Sequence, residues 1–362
     1  MARDPAETPH HAIEPAARQR RHDVLVKTPG TAHIAGLYLH ALVDDHLTEE
    51  SITRDVTLPL VRSFFLFLSR RKQLRKWMET SAPARHLATR FVAGETLEQA
   101  LAVARKLKSE GITVTLDHLG ESVTNLDEAR AAGDVYLRTL NAMTDSGLEG
   151  NVSLKLTQFG IDLSLEECRA NVKRLARRAA ETGGFVRVDM ESSAYTERTL
   201  KIVTELHARY GCVGAVIQAY LRRSPVDIAF LNGTHIRVRL CKGAYLEPVE
   251  LAYPEKREVD RNYFELAKLL LESGTYPALA THDEKLIAEI ERHVAAKKIS
   301  RDAFEFQMLY GIRRDLQRRL VKDGYRVRVY VPFGRAWYPY YMRRLAERPA
   351  NVMFVLRNLF RR

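Results

Sequence analysis

A chain of 362 residues that is 46% hydrophobic and 28% charged, with 13 Pro and 19 Gly, has the composition of an ordinary folded protein. Collagen-like, low-complexity and wholly disordered classes are excluded. Its 57 Lys+Arg against 45 Asp+Glu give a net charge of +12, which suits an anionic partner: nucleic acid, acidic lipid, or an anionic substrate or cofactor.

Much of the excess is local, with eight basic residues against one acid from Val61 to Arg90 and nine against one from Arg326 to Arg362. Cys168, Cys212 and Cys241 lie far apart with no C-x-x-C, so neither a disulfide framework nor a structural zinc is expected. His33, His40 and His46 read as helix-surface residues rather than metal ligands. No run approaches the roughly 20 apolar residues of a membrane span. The N-terminus has no secretory apolar region, and Asp4, Glu7 and Glu14 argue against a transit peptide. The expected location is the cytoplasm, with peripheral contact on the inner face of the cell membrane as the variant.

In chain order, residues 1–30 are Pro-, Ala- and His-rich without periodicity, as in a mobile arm. Residues 31–84 form a helical segment in short pieces. Within it, Ser63-Phe-Phe-Leu-Phe-Leu-Ser69 abuts the basic Arg70–Trp77. That pattern suits an interfacial anchor, or a helix that packs its Phe residues on the main domain under a solvated basic face. From Gly111 the pattern becomes regular. Strands are predicted at Ile112–Asp117, Asn151–Leu156, Phe185–Met190, Gly214–Ala219, His235–Cys241, Pro277–His282, Ala303–Leu309 and Arg326–Val331. Amphipathic helices such as Leu165–Thr182, Thr196–Tyr210 and Asp260–Ser273 lie between them. Eight βα units over residues 85–362 match a (β/α)8 TIM barrel, whose usual size is about 250 residues. A doubly wound open sheet is the alternative.

In such strands one parity of side chains faces the helices and the other the lumen. The apolar parity (Ile112, Val114, Leu116; Val152, Leu154, Leu156) must lie under the helices. The lumen then receives Thr113, Thr115 and Asp117; Ser153, Lys155 and Thr157; Arg187, Asp189 and Glu191; Arg237 and Arg239; Glu305 and Gln307; and Arg326, Arg328 and Tyr330. Buried charge is costly unless paired or bound. The lumen is therefore either a ligand site or a salt-bridge network that closes it.

Two constellations carry chemistry. After the last strand, Tyr340, Arg343, Arg344 and Glu347 follow i, i+3, i+4, i+7 spacing and share a helix face. Two guanidinium forks beside a tyrosine suit a small carboxylate or phosphate, with Glu347 spaced to brace the arginines. The ordinary reading of such a face is a solvated salt bridge. The fifth strand ends in Arg239-Leu-Cys-Lys-Gly-Ala-Tyr245, where a lumen cation, Lys242 and a glycine suit an anionic or polarised ring. Lys155 or Lys242 could instead form a Schiff base, as in barrel aldolases and lyases. No G-x-G-x-x-G and no P-loop occurs. No RNP, KH or zinc-finger pattern supports the nucleic-acid reading of the charge, so no nucleic-acid partner is expected.

Eight strings in order, Leu116-Asp-His-Leu-Gly-Glu-Ser122, Val152-Ser-Leu-Lys-Leu156, Val186-Arg-Val-Asp-Met-Glu191, Val216-Ile-Gln-Ala-Tyr220, Arg239–Tyr245, Thr281-His-Asp283, Glu305-Phe-Gln-Met-Leu-Tyr-Gly311 and Tyr340–Arg348, resemble the proline dehydrogenase family. The resemblance covers residues 85–357 and its monofunctional form. It implies a distorted barrel holding non-covalent FAD, and oxidation of L-proline to 1-pyrroline-5-carboxylate, with electrons passing to a membrane quinone. A separate pyrroline-carboxylate dehydrogenase would take the product. On this resemblance Arg343, Arg344 and Lys155 clamp the proline carboxylate, and Glu347 braces the arginines. Tyr330, Tyr340, Leu309, Tyr245 and Ala244 wall the ring, with Tyr330 favouring proline over hydroxyproline. Arg239 lies beside flavin N5, and Asp189 holds that region in place. Met190, Gln218, Lys242, Gly243, Thr281 and His282 contact the flavin or its tail. No general base for the amine proton stands out.

Overall fold

The computed structural model describes residues 71–81, 88–120 and 122–347. The expectations for residues 1–30, for His33, His40 and His46, and for the Phe-rich stretch lie outside the described residues. Of the basic stretch, α1 (Lys72–Thr80) is described; its Trp77 is exposed, and Met78 packs towards the last helix. Helix α2 (Leu97–Ser109) then precedes eight βα units. These are β1 (Thr113–His118) and α3 (Leu126–Asp145); β2 (Asn151–Leu154) and α4 (Leu165–Thr182); β3 (Phe185–Val188) and α5 (Thr196–Tyr210); and β4 (Val213–Gln218) and α6 (Ser224–Gly233). They continue with β5 (Val238–Cys241) and α7 (Lys256–Ser273); β6 (Ala278–Ala280) and α8 (Glu284–Ala296); β7 (Glu305–Leu309) and α9 (Arg314–Lys322); and β8 (Val327–Phe333) and α10 (Trp337–Glu347).

The strands are parallel and close in sequence order, β1 pairing with β8 from Thr113↔Arg328 to His118↔Phe333. A TIM barrel results, and the open-sheet alternative is excluded. Local chemistry sets the helix ends. Ser164 accepts from the Glu167 N–H at the start of α4, and Thr96 and Gln99 form a reciprocal capping box on α2. Gly183 ends α4 in the left-handed region at φ 67°.

Closure sorts the two parities as the alternation predicts. Val114, Leu116, Val152, Leu154, Val186, Val188, Leu240, Phe306 and Val329 are buried in the main apolar core. Inside, Thr115, Asp117, Ser153, Arg187, Arg239, Glu305, Gln307 and Arg328 are at most 6% exposed. The salt-bridge reading of the lumen holds at one depth. Its floor is a salt-bridge network. Arg328 Nε donates to both oxygens of Glu305 at 2.9 and 3.1 Å, its Nη2 to Glu149 at 2.9 Å and its Nη1 to the Val114 carbonyl at 2.8 Å. Gln307 also donates to Glu305, and Arg187 donates to the carbonyls of Ala215 and Arg237.

Several boundaries differ from expectation. Strands β2, β3 and β6 stop before Lys155, Asp189 and Thr281, although one further bond continues two of the ladders, Asp189 N–H to Leu154 O at 2.8 Å and Thr281 N–H to Gln307 O at 3.2 Å. Arg326 is not a lumen residue: it precedes β8, is 55% exposed and faces Asp302 at 4.0 Å. Thr157 and Glu191 lie beyond their strands and bond one another, joining two loops. The three cysteines are free, and burial pushes the thiols of Cys168 and Cys241 up to about 12. Among the described residues no helix is long and apolar enough to cross a membrane.

The floor has a pH signature. Burial alone would raise the Glu305 carboxyl, but the charge and hydrogen bonds of Arg328 outweigh it and hold the group below its ordinary 4.5. Its stabilising contribution is thus fully present above that value and is lost as pH falls through the lower folded value. Glu305→Gln, which breaks a buried pair, is expected to cost about 3–5 kcal/mol at neutral pH. It should also flatten the loss of stability in acid. Urea unfolding followed from pH 7 to pH 3 measures both effects.

Candidate active site

Above the floor, at the C-terminal ends of the strands, the polar side chains converge on one carboxylate. Asp189 leaves the end of β3 and accepts from the Ser153 hydroxyl at 2.7 Å, Arg239 Nη1 at 2.9 Å and the Tyr330 phenol at 2.8 Å. Ser153 in turn accepts from Arg239 Nη1 at 3.0 Å, and Arg239 Nε donates to Gln307, which reaches down to Glu305. Lys155 Nζ lies 3.3 Å from Asp117 and 3.8 Å from Asp189. Asp117, fully buried, also accepts from the phenol of Tyr136 on α3 at 2.9 Å. Two cations thus stand beside two carboxylates. Burial, and then the charges of Asp117 and Asp189, raise the Tyr330 phenol well above its ordinary value, so it remains a neutral donor. The Arg239 guanidinium lies over the Tyr330 ring at 5.3 Å.

The polar capacity of this network is not exhausted. Arg239 Nη2 is buried without a hydrogen-bond partner among the described residues. The same holds for Gln218 Oε1, whose Nε2 donates to the carbonyls of Met190 and Glu191 at 2.9 and 3.0 Å. A buried donor and a buried acceptor fit a polar planar ring with both functions along its edge. Gly243 lets the chain pass close by: its φ is +112°, and a Cβ there would sit 2.2 Å from the Tyr220 ring. Ala244 and Tyr245 follow on an exposed stretch before α7.

Lys242 stands in a cluster of carboxylates. Its Nζ bonds Asp260 at 2.5 Å and Asp283 at 2.8 Å, and Lys256 joins the same two carboxylates. The Asp283 backbone N–H donates to Thr281 Oγ1 at 3.1 Å, while the Leu309 N–H donates to His282 Nε2 at 2.9 Å. Thr281, His282, Lys242 and Leu309 are thereby linked around the ends of β5, β6 and β7.

Helix α10 reaches the strand ends through a second apolar cluster. Phe91, Val92, Leu119, Ile312, Trp337, Tyr340 and Tyr341 are buried together, and Leu309 packs against them. Tyr340 and Leu309 therefore belong to the same apolar cluster. Arg344 lies over the Tyr340 ring at 5.1 Å, and Arg343 is half-buried one residue before it. The side chain of Glu347 lies outside the described residues.

Residues 100–357 match the family model described as proline dehydrogenase. The chain belongs to the proline dehydrogenase family. Proline dehydrogenase 1 of Bacillus subtilis is 41% identical over 303 residues, covering 84% of this chain and 100% of that protein. Proline dehydrogenase of Deinococcus radiodurans is 43% identical over 285 residues, covering 76% and 91%. Among solved structures, proline utilization A from Bdellovibrio bacteriovorus superposes with a TM-score of 0.70 at 29% identity. That match covers 80% of this chain but only 37% of the longer one.

Within this proline dehydrogenase family barrel, sequence reasoning singled out Asp189, Arg239, Lys155 and Tyr330 and missed their supports. Tyr136 falls among the apolar positions of α3 and reads as core. Asp117, Ser153 and Gln307 carried the parity signal but no role. Asp260 sits inside a helix whose observed start, Lys256, precedes the expected one. Tyr136→Phe removes only a hydroxyl, so its expected cost is that of a hydrogen bond to a buried carboxylate, about 1.5–3 kcal/mol. The shift in urea midpoint relative to wild type measures it.

Proposed function

We infer that this protein oxidises L-proline to 1-pyrroline-5-carboxylate, the first step of proline catabolism, using FAD held at the strand ends and a quinone as final acceptor. The observation that carries the reading is Arg239, locked to Asp189 yet retaining a buried, uncommitted Nη2, in a barrel of this family. When bound, the flavin supplies the hydride acceptor. Arg239, Gln218, Met190, Gly243, Ala244, Thr281 and His282 are the residues proposed to hold it. Lys242, committed to Asp260 and Asp283, would meet it as part of a charged cluster.

The chain's own residues do the rest. Arg343 and Arg344 offer two guanidinium forks for the substrate carboxylate, and Lys155 adds a third positive charge. Glu347 is proposed to brace the arginines. Tyr330, Tyr340, Leu309 and Tyr245 wall the pyrrolidine ring, so one face of the substrate is fixed and the transfer becomes effectively unimolecular. Tyr330, held by Asp189, restricts the room beside the ring and favours proline over hydroxyproline. Positive charge on Arg239 favours the electron-rich product state. Conversion removes a hydride from carbon and a proton from nitrogen, and the proton leaves through water at the mouth.

The Schiff-base reading fares worse. It needs an amine placed to attack a carbonyl, and both candidate lysines are engaged with two carboxylates each, Lys155 with Asp117 and Asp189 and Lys242 with Asp260 and Asp283. Among the described residues of the basic C-terminal segment, Arg328 is buried in the floor while Arg343 and Arg344 lie on α10, so these cations do not share one face.

The purified protein is expected to be yellow and to bleach with L-proline under anaerobic conditions; a colourless protein that takes up no FAD overturns the assignment. Arg343→Ala and Arg344→Ala should each weaken proline binding about tenfold or more while retaining flavin. Normal proline affinity in both variants would remove the carboxylate clamp. Contact with an anionic membrane is proposed from the charge excess, and low-salt flotation with anionic liposomes, reversed at high salt, is its expected signature.

A further inference from the structure

The barrel has a second polar opening at the end away from these residues. Around the N-terminal ends of the strands, Thr113, Glu149, Arg237, Tyr276, Asp302, Arg326 and Arg328 line a cavity of about 510 Å³. Arg328 is committed there to Glu305 and Glu149, and Arg326 faces Asp302 only at 4.0 Å. Arg237 differs from both. Its guanidinium lies over the rings of Phe185 and Tyr276 at 5.3 and 5.1 Å, and it makes no hydrogen bond or ion pair among the described residues.

We propose that this opening is a binding site for a small oxyanion, phosphoryl or carboxylate, anchored by Arg237 and completed by Arg326, with Tyr276 as the ring against which both guanidiniums are held. Three observations support it independently of the catalytic reading. First, the lining carries three guanidiniums against the two carboxylates of Glu149 and Asp302, and Glu149 already serves Arg328. Second, Tyr276 is built in at a cost. Its φ of 44° is in the left-handed region, unusual for a bulky side chain. The Arg326 guanidinium lies 5.7 Å from its ring, and Arg326 Nη1 donates to its hydroxyl at 3.4 Å. The hydroxyl also donates to Glu305 at 3.3 Å. Third, the surroundings hold an excess of arginine. Burial, followed by the charges of Arg239, Arg328 and Arg237, pulls the neighbouring Arg187 guanidinium well below its ordinary value despite Glu305. An oxyanion beside Arg237 would take charge-assisted hydrogen bonds from a fork whose aromatic contacts already orient it.

The test is thermal-shift and calorimetric titration of the whole flavin-loaded protein with inorganic phosphate, pyrophosphate and citrate, against sodium chloride at matched ionic strength. A saturable rise in Tm with at least one of these anions is expected. Arg237→Gln should weaken it about tenfold or more while leaving the KM for proline unchanged. A response to phosphate and pyrophosphate alone identifies a phosphoryl ligand; one to citrate alone identifies a carboxylate. No effect beyond chloride, an unchanged response in Arg237→Gln, or competition by L-proline overturns the proposal. Should Arg237→Gln fail to fold, Arg326→Gln at the exposed rim serves for the same comparison.

Discussion

Charge enclosed within a closed barrel must find its partners inside the barrel. Most lumens are filled with branched aliphatic side chains, which makes no such demand. Here Arg187, Arg239 and Arg328 are nearly inaccessible to water, and each unpaired guanidinium would be severely penalised. The consequence is a connected chain of hydrogen bonds and ion pairs from Glu149 and Arg328 at the floor, through Glu305 and Gln307, to Arg239, Asp189 and Lys155, and on to Asp117 and Tyr136. Asp189 above and Glu305 below are its two hubs, each accepting from three side chains. Strand register, lumen polarity and the orientation of Arg239 all depend on that requirement.

The same requirement gives the barrel its polarity of function. At the floor Arg328, Glu305 and Glu149 neutralise one another and fill the centre of the lumen, while Arg237 at the rim keeps only aromatic contacts among the described residues. Towards the C-terminal ends the pairing is incomplete, leaving one Arg239 nitrogen and one Gln218 oxygen for something else. Helix α10 meets this level through aromatic packing: Trp337, Tyr340 and Tyr341 are buried in one cluster with Phe91 and Leu119. A connected network below and an apolar-anchored helix carrying Arg343 and Arg344 are the two parts on which the proposed site for a small apolar ring bearing a carboxylate draws.

The sequence made much of this legible. Strict alternation of apolar and polar residues separated helix-facing from lumen-facing positions, because strand periodicity is 2 whatever the tertiary setting. The limits of α4 and α5 were readable because Ser164, Gly183 and Gly211 are strong local stop and start signals. Ordered strings from Leu116 to Arg348 were specific enough to indicate the family, and with it candidate residues just beyond β2 and β3, on β5 and β8, and on α10.

Depth in the lumen was not legible. Arg239, Arg328 and Arg326 share one inward-facing pattern, yet the first stands in the site, the second plugs the floor and the third is solvated. Only the stagger of neighbouring strands on closure assigns those levels. Nor could spacing reveal that Tyr136, on the buried face of a helix, supplies a hydroxyl to Asp117, or that Lys242 is held between Asp260 and Asp283. Those partners lie 18 to 41 residues apart along the chain and meet only in the folded barrel. Sequence alone determined which faces are apolar, where helices cap and which side chains can carry charge, since these are short-range properties of the chain. The tertiary structure alone decided which charges neutralise each other and which remain available, because that depends on distances that exist only once the eight strands have closed.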